Sequence, residues 1–209
     1  LSGVVVSSGA ELKKATGAVI LLHGRGGSAR DILSLAGSLS DNPGLSFLAP
    51  QAADSTWYPL SFLAPREENE PKLGHALDIV AKTVALAEDA GIGRDSIVIA
   101  GFSQGACLAT EFVASNPARY AGLIAFTGGL IGPLGSDVTK LGDLAGTPAF
   151  LGSGDPDPHV PWSRVQESAA VLTAMGAEVD LRRYPGRPHS VSEDELTVAR
   201  ELIASALPK

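Results

Sequence analysis

The chain has 209 residues, 44% of them hydrophobic and 19% charged, which fits an ordinary soluble globular protein long enough to bury a sizeable core. That make-up excludes a disordered chain, a coiled coil and a collagen-like repeat, and its longest apolar runs, residues 18–22 and 97–100, fall far short of the roughly 18 residues of a membrane span. Net charge is −7, from 16 basic and 23 acidic residues with no Lys/Arg cluster, so the field favours solubility and opposes a nucleic-acid partner.

Strand-like apolar runs alternate with amphipathic stretches along the chain. A strand is predicted at residues 3–7 and a second at 18–22. Val19-Ile20-Leu21-Leu22 is apolar throughout, as in a central parallel strand covered on both faces. A glycine-rich turn follows, then a helix at 29–40 and a strand at 46–49. Residues 54–70 form a long loop carrying Trp57, Tyr58, Phe62 and Leu63, long enough to cover or line a site. A helix is predicted at 71–90, where Leu73, Leu77, Val80 and Val84 make one apolar stripe. Then come a strand at 96–100, a helix at 104–116, strands at 122–126 and 149–152, a helix at 161–175, a strand at 179–184 and a helix at 192–206. Ala90-Gly91 and Met175-Gly176 read as helix stops. No linker or repeat divides the chain, so residues 1–209 are read as one α/β domain with a mostly parallel sheet. The single cysteine, Cys107, rules out an intrachain disulfide and favours a reducing, cytoplasmic compartment. Residue 1 is Leu, which leaves a cleaved leader open.

The chemistry-bearing segment is Gly101-Phe102-Ser103-Gln104-Gly105. G-x-S-x-G alone is weak, but here a buried strand runs into it and a helix leaves it, the setting of a nucleophile elbow. A serine hydroxyl needs a base. Of the histidines, His159 and His189 follow Ser103, as the order serine, acid, histidine of α/β-hydrolases requires. His189 lies in the turn-rich stretch between the last strand and last helix, where it can reach back over the sheet. The acid should follow the strand at 149–152, where Asp155 and Asp157 compete and spacing does not choose. His159 is so close to both that it reads as a neighbour of the site. Oxyanion donors are expected at the backbone N–H of Gln104 and in His23-Gly24-Arg25-Gly26-Gly27, where Arg25 N–H is the natural candidate. The Arg25 side chain is left between an acidic substrate group and a surface salt bridge.

These segments, with Gly154-Asp155-x-Asp157-Pro158-x-Val160-Pro161 and Pro188-His189-Ser190, together resemble the phospholipase/carboxylesterase family of serine α/β-hydrolases, which includes the acyl-protein thioesterases. The resemblance runs from about residue 19 to residue 190. It implies a compact α/β-hydrolase fold with helices on both faces of the sheet and no large separate lid domain. It implies Asp157 as the triad acid, backbone donors at Arg25 and Gln104, and Trp57-Tyr58 as a substrate-pocket loop. Family members often pair as homodimers. Acyl-protein thioesterases typically read H-G-L-G-D at the first loop, and the departure at Arg25 and Gly27 favours small or medium-chain esters over protein depalmitoylation. Cys107, another departure, reads as a small core residue.

The expected function is therefore a serine carboxylesterase acting on small-molecule esters through an acyl-enzyme, with Ser103, Asp157 and His189 as triad. No cofactor is expected, and no metal, since no H-E-x-x-H or paired Cys/His spacing occurs. The alternatives are a thioesterase or lysophospholipase for long acyl chains, an acyltransferase, and a non-catalytic hydrolase-fold binding protein.

Overall fold

The computed structural model describes residues 3–207. One seven-stranded sheet runs through them: β1 (Val5–Gly9), β2 (Gly17–Leu22), β3 (Leu45–Pro50), β4 (Ile97–Phe102), β5 (Gly122–Phe126), β6 (Pro148–Asp155) and β7 (Glu178–Pro185). Their spatial order is β1-β3-β2-β4-β5-β6-β7. Only the edge strand β1 is antiparallel to its neighbour. The helices are α1 (Ala29–Leu33), α2 (Ala36–Leu39), α3 (Arg66–Asn69), α4 (Lys72–Asp89), α5 (Gln104–Ser115), α6 (Trp162–Ala174) and α7 (Glu193–Ala206).

The two-residue period of a strand divides the core. Val19 and Leu21 of β2 pack with Ile32, Leu39, Ala199 and Ile203 from α1, α2 and α7. Ile20 and Leu22 pack on the other face with Leu73, Val80, Leu108, Val113 and Leu172 from α4, α5 and α6. Both faces are covered, which is why β2, β4 and β5 read as unbroken apolar runs, while β3 buries the polar Ser46. The α4 stripe behaves as its spacing predicts at Leu73, Val80 and Val84, while Leu77 is only partly buried.

Most boundaries fall within one or two residues of the sequence reading, a short helix, α3, lies inside the expected loop at 54–70, and three departures have a visible local cause. The expected helix at 29–40 is two short helices. Ser34 Oγ takes the Asp31 carbonyl at 2.6 Å, and the N–H groups of Ser34 and Leu35 bond three residues back, tightening the chain into a turn. β1 lies two residues later than 3–7 because Ser8 and Gly9 continue the ladder with Phe47 and Ser46. β6 extends to Asp155 because Gly152, Ser153 and Gly154 pair with β7. Ladder hydrogen bonds define both ends, and hydrophobicity does not report them.

β2 has β3 on one side and β4 on the other, so the direction of winding reverses between β2 and β4. Ligands in open α/β sheets gather outside the carboxyl ends of strands at such a reversal. Leu22 and Gly101 face each other in register there. The loop after β2 and the turn after β4 are thus neighbours.

Candidate active site

β4 ends on Phe102 and α5 begins on Gln104, leaving Ser103 to turn the chain. Ser103 sits at φ 54° and ψ −117°, a region that costs a residue with a side chain about 1–3 kcal/mol. Its N–H donates to Phe126 O at 3.0 Å and its carbonyl accepts Cys107 N–H at 3.0 Å. A Cβ on Gly105 would overlap the Leu22 carbonyl and stand 2.7 Å from His23 O, so the first turn of α5 packs straight onto the end of β2. Gly105→Ala is accordingly expected to cost about 3 kcal/mol or more of stability, since backbone on both sides cannot give. Urea unfolding of the variant checks this; a loss below about 1 kcal/mol would contradict the packing argument.

His189 Nε2 lies 2.9 Å from Ser103 Oγ, and its Nδ1 lies 2.8 Å from Asp157 Oδ2. The other Asp157 oxygen accepts the N–H groups of His159 and Val160, each at 2.9 Å. The Asp157 side chain is out of solvent. Burial disfavours its charge, but the hydrogen bonds from His159, His189 and Val160 prevail and hold its carboxyl below the usual value. Asp155, its competitor in sequence, turns instead to Arg183. His159 packs edge-on against the His189 ring, with centroids 4.9 Å apart.

The loop after β2 is set by His23. Ala52 N–H donates to its Nε2 at 3.1 Å, so the ring proton sits on Nδ1, which donates to Gly24 O at 2.8 Å. Burial lowers the pKa of this imidazole and favours the neutral form. The Gly24 carbonyl and the Arg25 N–H share one trans peptide and point oppositely. Tying the carbonyl to His23 therefore directs the Arg25 N–H the other way. Neither that N–H nor the Gln104 N–H has an acceptor among the described residues.

A cavity of about 680 Å³ opens beside Ser103, walled by Tyr58, Leu60, Phe62, Leu63 and Val160. Cys107 also reaches it, and burial pushes its thiol up to about 12, keeping it protonated. Trp57 is not in this wall. Its indole packs behind the loop, donating to His23 O at 2.8 Å and lying against the His23 ring. The Arg25 side chain forms no salt bridge among the described residues. Its guanidinium donates to Thr56 Oγ1 at 3.1 Å, Pro59 O at 2.9 Å and Leu60 O at 2.6 Å. The Gln104 side chain grips the same segment, accepting Trp57 N–H at 3.0 Å and donating to Tyr58 O at 2.8 Å. The wall is thus tied to the two residues whose N–H groups flank Ser103. Glycine-rich spacing drew attention to those backbone groups but carried no sign of the side-chain ties.

Sequence reasoning also missed Arg187. It contacts Glu195 Oε2 at 3.2 Å and donates to Thr127 Oγ1 at 2.9 Å, two residues before His189. Burial pushes the Glu195 carboxyl up, against the opposing pull of Ser192 N–H and Arg187. The Ser192–Glu195 capping box was a readable signal for one end of this contact. Arg187→Ala strands a buried carboxylate, which costs about 3–5 kcal/mol. Burial raises the folded pKa of Glu195, and removal of the Arg187 cation raises it further. The loss should be smallest below the reference value of 4.5 and grow as pH rises. Thermal unfolding of Arg187→Ala between acid and neutral pH measures this; a loss independent of pH would exclude Glu195 as its source.

Among the described residues no group of three or more His, Cys, Asp or Glu side chains is placed to hold a metal, and no helix is long and apolar enough to cross a membrane. A sequence profile of the phospholipase/carboxylesterase family matches residues 3–207. Acyl-protein thioesterase 1 of Neurospora crassa is 33% identical over 134 residues, which are 63% of this chain and 53% of that protein. The chain thus spans about half the length of that relative. Acyl-protein thioesterase 1 of Cryptococcus neoformans is 26% identical over 223 residues, covering 92% of this chain and 93% of its own. The crystal structure of a phospholipase/carboxylesterase from Dyadobacter fermentans superposes with a TM-score of 0.91 at 47% identity, covering 95% of each chain. The Bacillus cereus carboxylesterase shares the fold, with a TM-score of 0.78 at 23% identity over 97% of this chain and 93% of its own. With its mostly parallel sheet and this extent of match, the chain belongs to the phospholipase/carboxylesterase family of α/β-hydrolases.

Proposed function

We propose that this protein is a serine carboxylesterase that hydrolyses short- to medium-chain carboxylic esters through an acyl-enzyme. The observation that carries the reading is the continuous hydrogen-bonded line Ser103–His189–Asp157. His189 Nε2 takes the Ser103 proton as Oγ bonds to the ester carbonyl carbon. Asp157 accepts from Nδ1 and so keeps Nε2 free for that proton. The N–H groups of Arg25 and Gln104 meet the developing oxyanion. The carbon–oxygen bond to the alcohol breaks, and the alcohol leaves with the proton from His189. Water then bonds to the acyl carbon, giving its proton to His189. The Oγ–carbon bond breaks and Ser103 recovers a proton.

The cavity is lined by Tyr58, Leu60, Phe62, Leu63 and Val160 together with the polar Ser61 and His159, and a mixed apolar and polar lining of this kind suits a small ester. The thioesterase reading rests on the names of the fungal relatives. A p-nitrophenyl ester series from acetate to palmitate separates the two. Highest kcat/KM at or below about eight carbons is expected. A maximum at palmitate would favour the thioesterase reading. An alkyl fluorophosphonate should label Ser103, and failure to label would remove the serine hydrolase reading altogether.

A further inference from the structure

A second cleft of about 390 Å³ lies next to the first cavity. The two share Gly24, Arg25, Phe102 and His189. The ridge between them therefore carries one oxyanion donor and the base. Ser103 lines the large cavity and not the second cleft. An acyl group bonded to Ser103 Oγ must extend from that atom, so it occupies the large cavity. The leaving oxygen has a different requirement, since it must receive its proton from His189 Nε2. A substrate that crosses the ridge satisfies both conditions, with its carbonyl over the ridge and its alcohol portion beyond His189.

We propose that the second cleft is the alcohol subsite, and that it selects neutral, apolar alcohols over alcohols that carry phosphate. This inference rests on the esterase reading above. The chemistry of the cleft supports the selection. Ile32, Leu35 and Val191 give it an apolar surface large enough for a ring or a short branched chain. Its acidic side chain is Asp31. Arg25 is the Lys/Arg residue of its lining, and the guanidinium is committed to Thr56, Pro59 and Leu60 in the wall of the other cavity. A leaving group bearing phosphate would meet Asp31 with no free cation in the cleft to offset it.

The test holds the acyl group constant as butyrate and varies the alcohol among methanol, benzyl alcohol and a glycerol phosphate. Wild type should prefer benzyl to methyl and disfavour the phosphate ester. Leu35→Trp fills the cleft and should lower the benzyl-to-methyl ratio of kcat/KM about tenfold or more. Val191→Phe obstructs it from a different segment and should act in the same direction, which guards against misfolding of either variant. Asp31→Asn should raise the phosphate-to-methyl ratio about threefold, the size expected of an exposed charge. With p-nitrophenyl esters, the acyl-length order of the Leu35→Trp and Val191→Phe variants should match wild type. If these variants reorder acyl length and leave the alcohol ratios alone, the cleft holds the acyl chain and the proposal is overturned. Unchanged alcohol ratios in both variants overturn it as well. Either result, with Ser103 still labelled by the fluorophosphonate, leaves the esterase reading standing, whereas loss of labelling in the wild type sinks both.

Discussion

Ser103→Gly is expected to lower kcat on p-nitrophenyl butyrate by about 10⁵- to 10⁶-fold, the scale seen when a triad nucleophile is removed, and to raise stability by about 1 kcal/mol. The two effects share one cause. Ser103 holds φ 54° so that its hydroxyl stands clear of the sheet. Glycine takes that conformation without strain, and the relief exceeds its own entropic cost of roughly 0.5–1 kcal/mol. Ser103→Ala loses the same activity but keeps the strain, so its stability should fall below that of Ser103→Gly. Steady-state kinetics and urea unfolding of the three proteins read both quantities. A glycine variant less stable than the alanine variant would show that the turn is not strained.

Asp157→Asn should cost about 10⁴-fold in kcat. The N–H groups of His159 and Val160 both point at one oxygen of the side chain. Asparagine must present its carbonyl oxygen to those donors, which turns its NH₂ group toward His189 Nδ1. That nitrogen then has to be unprotonated, and the ring proton moves to Nε2, where it blocks acceptance from Ser103. Asp155→Asn is the control, since that residue pairs with Arg183 and should change kcat less than threefold or so. The same carboxylate has a pH signature. Its folded pKa lies below the reference value of 3.8, so its contribution to stability is complete above that pH and is lost as pH falls through the folded value. The acid limb of the unfolding curve should therefore be shallower in Asp157→Asn. An unchanged limb would separate Asp157 from acid unfolding.

The apolar runs made the central strands legible, because burial on both faces leaves no polar position in Val19–Leu22 or Ile97–Ala100. The strand-turn-helix setting made Ser103 legible, and chain order made His189 legible. Local spacing could not separate Asp155 from Asp157, because the choice depends on Arg183 in the neighbouring strand and on the reach of His189. Trp57 shows the same limit. An aromatic residue in a long loop reads as pocket, but its indole N–H has an acceptor at His23 O that only the fold brings near. The break within 29–40 turned on one serine hydroxyl competing for a carbonyl, an effect below the resolution of hydrophobic periodicity.

The manner in which the pocket wall is fastened bears on how this protein can diversify. Arg25 and Gln104 hold Thr56–Leu60 mainly by main-chain atoms: the carbonyls of Tyr58, Pro59 and Leu60 and the N–H of Trp57. Thr56 Oγ1 is the one side-chain partner in that set. The course of the wall is therefore specified largely without reference to which residues compose it. The exposed Leu60 and Ser61 side chains can therefore change and alter the lining, while the fastening and the hydroxyl–imidazole–carboxylate line beneath it stay as they are. The shape of the pocket mouth and the course of the backbone behind it are thus separately adjustable.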